Sequence, residues 1–118
     1  MKINSYKDLI VWQKSRKLVV EIYKLTKSFP KSEIYGLTNQ IRRSAVSIPS
    51  NIAEGYCRQT RKEYIQFLYI SYGSSAELET QLLSSFDVGY VTEKQLSEIL
   101  ELLLEVQKML NVLIKKLK

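Results

Sequence analysis

Apolar residues recur every three or four positions along most of this chain, in four stretches separated by short breaks. The first predicted helix runs from about Tyr6 to Lys27. Ser5 followed by Asp8 resembles a capping box, and Phe29-Pro30 ends the helix because the residue before a proline avoids helical torsions. The second opens at Ser32, with Glu33 in its first turn, and runs toward Pro49. There a missing N–H and a ring clash predict a kink or an interruption, with Ser50 to Arg58 continuing as helix. The third starts at Thr60 with Glu63 and ends near Asp87. Gly89 makes a turn, and Thr92 with Gln95 caps a fourth helix that runs on to the C-terminus. No strand alternation or internal repeat is present. Short connections favour adjacent helices of opposite direction, so the predicted fold is all-α. It is an antiparallel up-down-up-down four-helix bundle, kinked near Pro49, forming one domain over residues 1–118.

Two helices carry more apolar surface than one bundle core requires. In the fourth, Leu96, Ile99, Leu103, Val106, Leu110, Leu113 and Leu117 form a seam with alternating spacings of three and four. Leu100, Leu102, Leu104, Met109 and Ile114 widen the apolar arc to about 220°, against the stripe of about 100° that suffices for burial on one side. In the first helix, Val11, Leu18, Ile22 and Leu25 share one face while Leu9, Val20 and Tyr23 lie beside it. The excess predicts a second buried surface and hence self-association. The third helix instead gathers small residues, Ser71, Gly73, Ser74, Ser75 and Ala76, which predict a close crossing with the second.

Charge adds an asymmetry. The formal net charge is +6, but residues 1–62 carry a net +9 and residues 63–118 a net −3. Such a division suits polyanion binding or pairing between subunits. Lys7, Lys14, Lys17, Lys24, Lys27 and Lys31 line the first helix, and Arg58, Arg61 and Lys62 cluster beside Tyr56 and Tyr64. Basic residues interleaved with aromatics suit phosphates and unstacked bases. Lys14, Lys17, Lys24, Arg58, Arg61 and Lys62 are therefore the candidate nucleic-acid contacts.

The available chemistry argues against an enzyme. There is no histidine, which removes the imidazole base and the His ligand of a di-metal bundle. The single Cys57 cannot form an internal disulfide or a thiolate cluster, and it is expected to be a small, buried thiol in a reducing cytoplasm. No phosphate-cradling glycine motif occurs. No signal peptide, membrane span, cofactor or metal site is expected. The conspicuous polar residues are Arg42, Arg43, Asn51 and Glu54 on the second helix and Glu77 on the third. A buried guanidinium needs a carboxylate, so they are expected to form a structural polar network with Glu54 and Glu77 as the acids. An arginine reserved for phosphate is the functional alternative.

Several motifs together resemble a known family. DLIVW (Asp8 to Trp12), E-x-x-GL (Glu33 to Leu37), QIRRSAVSIPSNIAEG (Gln40 to Gly55), KEYIQFL, GSSAELET and the M-L-x-x-L-I tail cover nearly the whole chain. They are similar to the small four-helix-bundle proteins encoded by intervening sequences in bacterial 23S ribosomal RNA genes. Ser15 and Ser71 depart from the small alanines common there. The resemblance implies a ring-like homopentamer and an association with ribosomal RNA. It also implies kinship to accessory proteins of diversity-generating retroelements, which have the same barrel and bind nucleic acid and a reverse transcriptase. Together, the residues and the resemblance lead to the expectation of a non-enzymatic, homo-oligomeric, cytoplasmic bundle whose partners are itself and RNA or another nucleic acid. The alternative is a protein-interaction scaffold that binds a protein partner and no nucleic acid.

Overall fold

A computed structural model describes residues 4–118. Four helices account for most of them: α1 (Ile10–Thr26), α2 (Leu37–Tyr56), α3 (Arg61–Asp87) and α4 (Glu93–Leu117). Among the described residues there is no strand. The most extensive packing joins α2 to α3, while α1 packs on α2 and α4, and α3 on α4. The four therefore enclose a core in chain order. Side-chain contacts between neighbours run in opposite order. Thr26 of α1 meets Arg42 of α2, whereas Tyr6, ahead of α1, meets Tyr56 at the end of α2. Leu18, Ile22, Ile41, Ile48, Ile52, Leu68, Leu78, Leu82, Leu103, Val106 and Leu110 are fully buried at the centre.

The helix starts follow local hydrogen bonding. Thr60 Oγ1 accepts from Glu63 N at 3.1 Å. Thr92 and Gln95 complete a capping box, at 3.1 Å and 2.9 Å. Gly89 turns the chain between α3 and α4 with φ of 86°, a torsion an L side chain rarely adopts. Two predicted starts are displaced. Ser5 caps only a 3₁₀ turn, Tyr6–Asp8, and extended Leu9 separates that turn from α1. The break lets the Tyr6 ring meet Trp12 and Tyr56 edge-on, at 5.2 Å and 6.5 Å. Lys31–Glu33 is likewise a 3₁₀ turn, and α2 begins only after non-helical Gly36. Glu33 acts from outside that helix: its Oε1 accepts from Leu37 N at 3.2 Å, and its Oε2 accepts from the Tyr90 hydroxyl at 2.8 Å. That carboxylate pins the start of α2 to the α3–α4 turn, and its hydrogen bond raises the Tyr90 pKa above the ordinary tyrosine value.

Pro49 does not interrupt α2, which continues to Tyr56. An interior proline removes one backbone bond and costs about 3 kcal/mol, so tertiary contacts must carry the helix across it. Pro49 is buried, and the residues just before it are tied to α3: Ser71 Oγ donates to the Ile48 carbonyl at 2.9 Å and Ser47 shares a 2.8 Å hydrogen bond with Ser74. Ser71, Ser74 and Ser75 are the small residues at this crossing; Gly73 and Ala76 point outward. The glycine that the approach requires is Gly55, where an added Cβ would lie 2.7 Å from Phe67 Cβ and 3.2 Å from the Tyr64 carbonyl oxygen. The α4 seam also shifts. Ile114 is buried in place of Leu113 and Leu117, because a 3.6-residue helix drifts about 20° per heptad from a strict 3.5 repeat.

Candidate nucleic-acid interface

The lysine stripe of α1 does not form a basic surface. Lys14, Lys17 and Lys24 line a groove whose opposite wall is the α4 stripe Glu98, Glu101 and Glu105. Lys14 pairs with Glu105 across it, and Lys24 pairs with Glu21 on its own helix at 3.4 Å. The groove carries both signs, so its field largely cancels. The sequence shows each stripe but not that they face each other.

The expected arginine–glutamate network is also absent. The ion pairs among the described residues join neither Arg42 nor Arg43 to a carboxylate. The reason is angular. Arg42 lies on the flank of α2 that faces α1, where its Nε donates to Thr26 Oγ1 at 2.9 Å and its guanidinium sits 4.7 Å from the Tyr23 ring centre. Ser44, about 200° further round the helix, lies on the flank facing α3 and Glu77. Arg43 lines the groove between α2 and α3 that Glu77 also lines, yet no ion pair joins the two among the described residues, and eleven residues separate Arg43 from the exposed Glu54, about 16 Å along the axis. Glu54 pairs instead with Arg58 at 3.3 Å. Asn51 donates to the Ser47 carbonyl and hydroxyl at 2.8 Å and 2.9 Å, completing a neutral Ser47–Asn51–Ser74 cluster. Glu77 is exposed. Cys57, expected to be buried, is exposed at the end of α2.

Arg58, Arg61 and Lys62 do lie together, where α2 gives way to α3. Arg58 is partly engaged, with its guanidinium 4.8 Å from the Phe67 ring centre. Arg61 and Lys62 are exposed and make no ion pair among the described residues. They form the rim of a shallow groove floored by Ile65, Tyr69 and Leu117. Lys118 completes that rim, its Nζ 5.1 Å from the Tyr69 ring centre. Beside the groove, Tyr6, Tyr56 and Tyr64 pack edge to face. Burial pushes the Tyr64 hydroxyl up to about 12, with Tyr56 adding to the shift.

Comparison with known proteins places the chain. Residues 7–112 match the family described as 23S rRNA-intervening sequence protein. The chain belongs to that family. A similar solved structure is that of a protein of unknown function from the S23 ribosomal protein family of Bacteroides thetaiotaomicron VPI-5482. It superposes with a TM-score of 0.84 at 31% identity, covering 90% of this chain and 99% of that one. No curated protein matches the chain.

In this chain, the cations that reasoning from sequence overlooked are Lys115, Lys116 and Lys118. All three are exposed, and no ion pair engages them among the described residues. They end α4 at the same end of the bundle as Arg61 and Lys62. The signal was the KKLK tail, which follows the last acidic residue, Glu105. Averaging charge over residues 63–118 hid it under the acids of α3 and early α4. Among the described residues, no helix is long and apolar enough to cross a membrane.

Proposed function

We propose that this protein is a non-enzymatic, homo-oligomeric bundle of the bacterial cytoplasm that holds RNA by its backbone at one basic end, with ribosomal RNA the partner suggested by its family. The observation that carries this reading is that Arg61, Lys62 and Lys118 line one groove with the partly exposed Tyr69 and make no ion pair among the described residues, while the exposed Lys115 and Lys116 end α4 at the same end of the bundle. Cations without intramolecular partners attract polyanions, and contacts to phosphates position a nucleic acid with little reading of sequence. The family resemblance points to five copies in a ring.

Fluorescence anisotropy with a fragment of 23S ribosomal RNA over a salt series tests it. Affinity should fall linearly with log salt, with a slope of about −0.7 to −0.9 per phosphate contacted. Arg61→Glu with Lys62→Glu, and Lys115→Glu with Lys116→Glu, should each weaken binding and flatten that slope. Lys14→Glu and Lys24→Glu should leave the slope unaltered. Binding that is indifferent to salt, or that survives both reversals at the basic end, refutes the reading. No RNA affinity together with specific retention of one protein in a pull-down would favour the scaffold instead.

A further inference from the structure

The groove at the basic end carries apolar surface as well as charge. Arg61 and Lys62 open α3 on one side of it, and Lys118 follows the last turn of α4 on the other. It encloses about 400 Å³, and among the described residues no acidic side chain lines it. Its floor is made of the half-buried Ile65 and Leu117 beside Tyr69. Tyr69 is 45% exposed, so much of a large flat ring stands in water among three cations. Cations alone suffice for phosphates, and a purely backbone contact gives the ring and the apolar floor no use. A nucleobase does use them, because every base has a π-face that stacks on an aromatic side chain whatever its identity.

The ring is already paired with a cation, since Lys118 Nζ lies 5.1 Å from its centre. Both side chains are exposed, and a cation over an exposed ring is held less strongly than a stacked base. An arriving base therefore displaces the ammonium, which is then free for the adjoining phosphate. Gln66, exposed at the edge of the groove, offers an amide donor and a carbonyl acceptor together. It can follow a base edge without selecting one base. A duplex cannot use this floor. Its bases are stacked on one another, and the deep, narrow major groove of A-form RNA keeps side chains from their edges; only splayed bases of single strands, loops and bulges reach a protein ring. A duplex laid over the same rim would touch the cations alone.

From this we infer that the basic-end groove takes an unpaired stretch of RNA, stacking one base on the Tyr69 ring while Arg61, Lys62 and Lys118 hold the flanking phosphates. The inference rests on the RNA reading proposed above and deepens it. Tyr69 favours single strands over duplexes, and the cations supply the affinity that both forms share.

Fluorescence anisotropy on the full chain tests it with an unstructured RNA of about 12 nucleotides, within the usual span of a single-strand site, used alone and annealed to its complement. Tyr69→Ala should weaken single-strand binding by about 5- to 150-fold and leave duplex binding unaltered. The single-strand salt slope should keep its wild-type value, because no phosphate contact is lost. Tyr69→Phe keeps the ring and should bind as the wild type does. Tyr69→Leu keeps apolar bulk without a π-face and should also weaken the single strand selectively; it replaces the alanine variant if far-ultraviolet circular dichroism shows that variant to be less helical. A ring-less variant that binds the single strand as tightly as the wild type, or that loses equally on both forms, overturns the stacking. If Arg61→Glu with Lys62→Glu still weakens both forms, the backbone reading stands without it. A wild type with no affinity for either form at low salt overturns the RNA reading and the stacking with it.

Discussion

Gly55→Ala is the sharpest test of how α2 and α3 approach each other. A new Cβ would sit 2.7 Å from Phe67 Cβ, 3.1 Å from Tyr64 Cδ1 and 3.2 Å from the Tyr64 carbonyl oxygen. Carbon contacts are comfortable near 3.5–4.0 Å, so the closest is short by about 1 Å. Neither a Cβ nor a backbone oxygen can rotate away; the helices must part. Overpacking of this kind costs up to about 3 kcal/mol, while alanine in the last turn of a helix recovers at most about 1 kcal/mol over glycine. The net loss should be about 2 kcal/mol. Gly73 supplies the control. It lies mid-helix on α3 with nothing within 4 Å of an added Cβ, so Gly73→Ala should gain about 1 kcal/mol from helix propensity alone. Urea unfolding at one fixed protein concentration, needed because association raises apparent stability, should move the two midpoints in opposite directions. A Gly55→Ala protein as stable as wild type would refute the close crossing.

Other consequences are local. Thr26→Val should cost about 1–3 kcal/mol in urea unfolding, because it strands the half-buried Arg42 Nε without an acceptor. Thr92→Ala removes the hydroxyl that accepts from Gln95 N, while the backbone N–H of residue 92 can still donate to the Gln95 side chain, and should lower stability by about 1 kcal/mol. Tyr64 sets an alkaline limit. Its folded pKa, about 12, lies above the unfolded value of 10.0, so its contribution is complete below pH 10 and is lost as pH rises from 10 to 12. Tyr64→Phe should make the fall in melting temperature across that window shallower than in wild type; an unaltered profile would show that Tyr64 does not titrate there.

The fold was readable because periodicity, caps and breakers agree. Thr60, Thr92, Gly89 and the α4 heptads each act locally, where a sequence carries the information. The misplacements arose where distant residues decide. Ser32 looked like a helix start, but Glu33 reaches past it to cap Leu37 and hold Tyr90, fifty-seven residues away. Gly73 looked like the close-packing glycine because small residues surround it, yet its helix turns it outward and Gly55 bears the contact. For the candidate site, residue types were legible and pairings were not. Lysines on α1 suggested a phosphate track, and only the packing of α1 on α4 shows them opposite glutamates. The arginines suggested a network with Glu54 and Glu77, but consecutive positions on α2 diverge by 100°: Arg42 turns to Thr26 and Tyr23 of α1, and only Arg43 shares a groove with Glu77.

These placements bear jointly on RNA binding. The exposed Tyr35, Val46, Leu83 and Phe86 lie in the half of the bundle away from the basic end, in a molecule 43 Å long. Copies associating through that half, in the self-association proposed above, would leave their basic ends uncovered. A long RNA would then meet several patches at once, and each further contact would be intramolecular, which raises avidity without a new interaction. A short oligonucleotide would meet only one patch. Val46→Glu, which leaves every cation in place, should weaken binding of a long RNA on the order of 10²-fold while barely altering binding of an oligonucleotide too short to bridge two copies. Anisotropy titrations of both RNAs at one salt concentration distinguish the outcomes. Equal losses on both would mean that the substitution damages the RNA site itself. No loss on the long RNA, with dissociation confirmed by light scattering, would mean that a single bundle carries the whole affinity and that assembly serves another purpose.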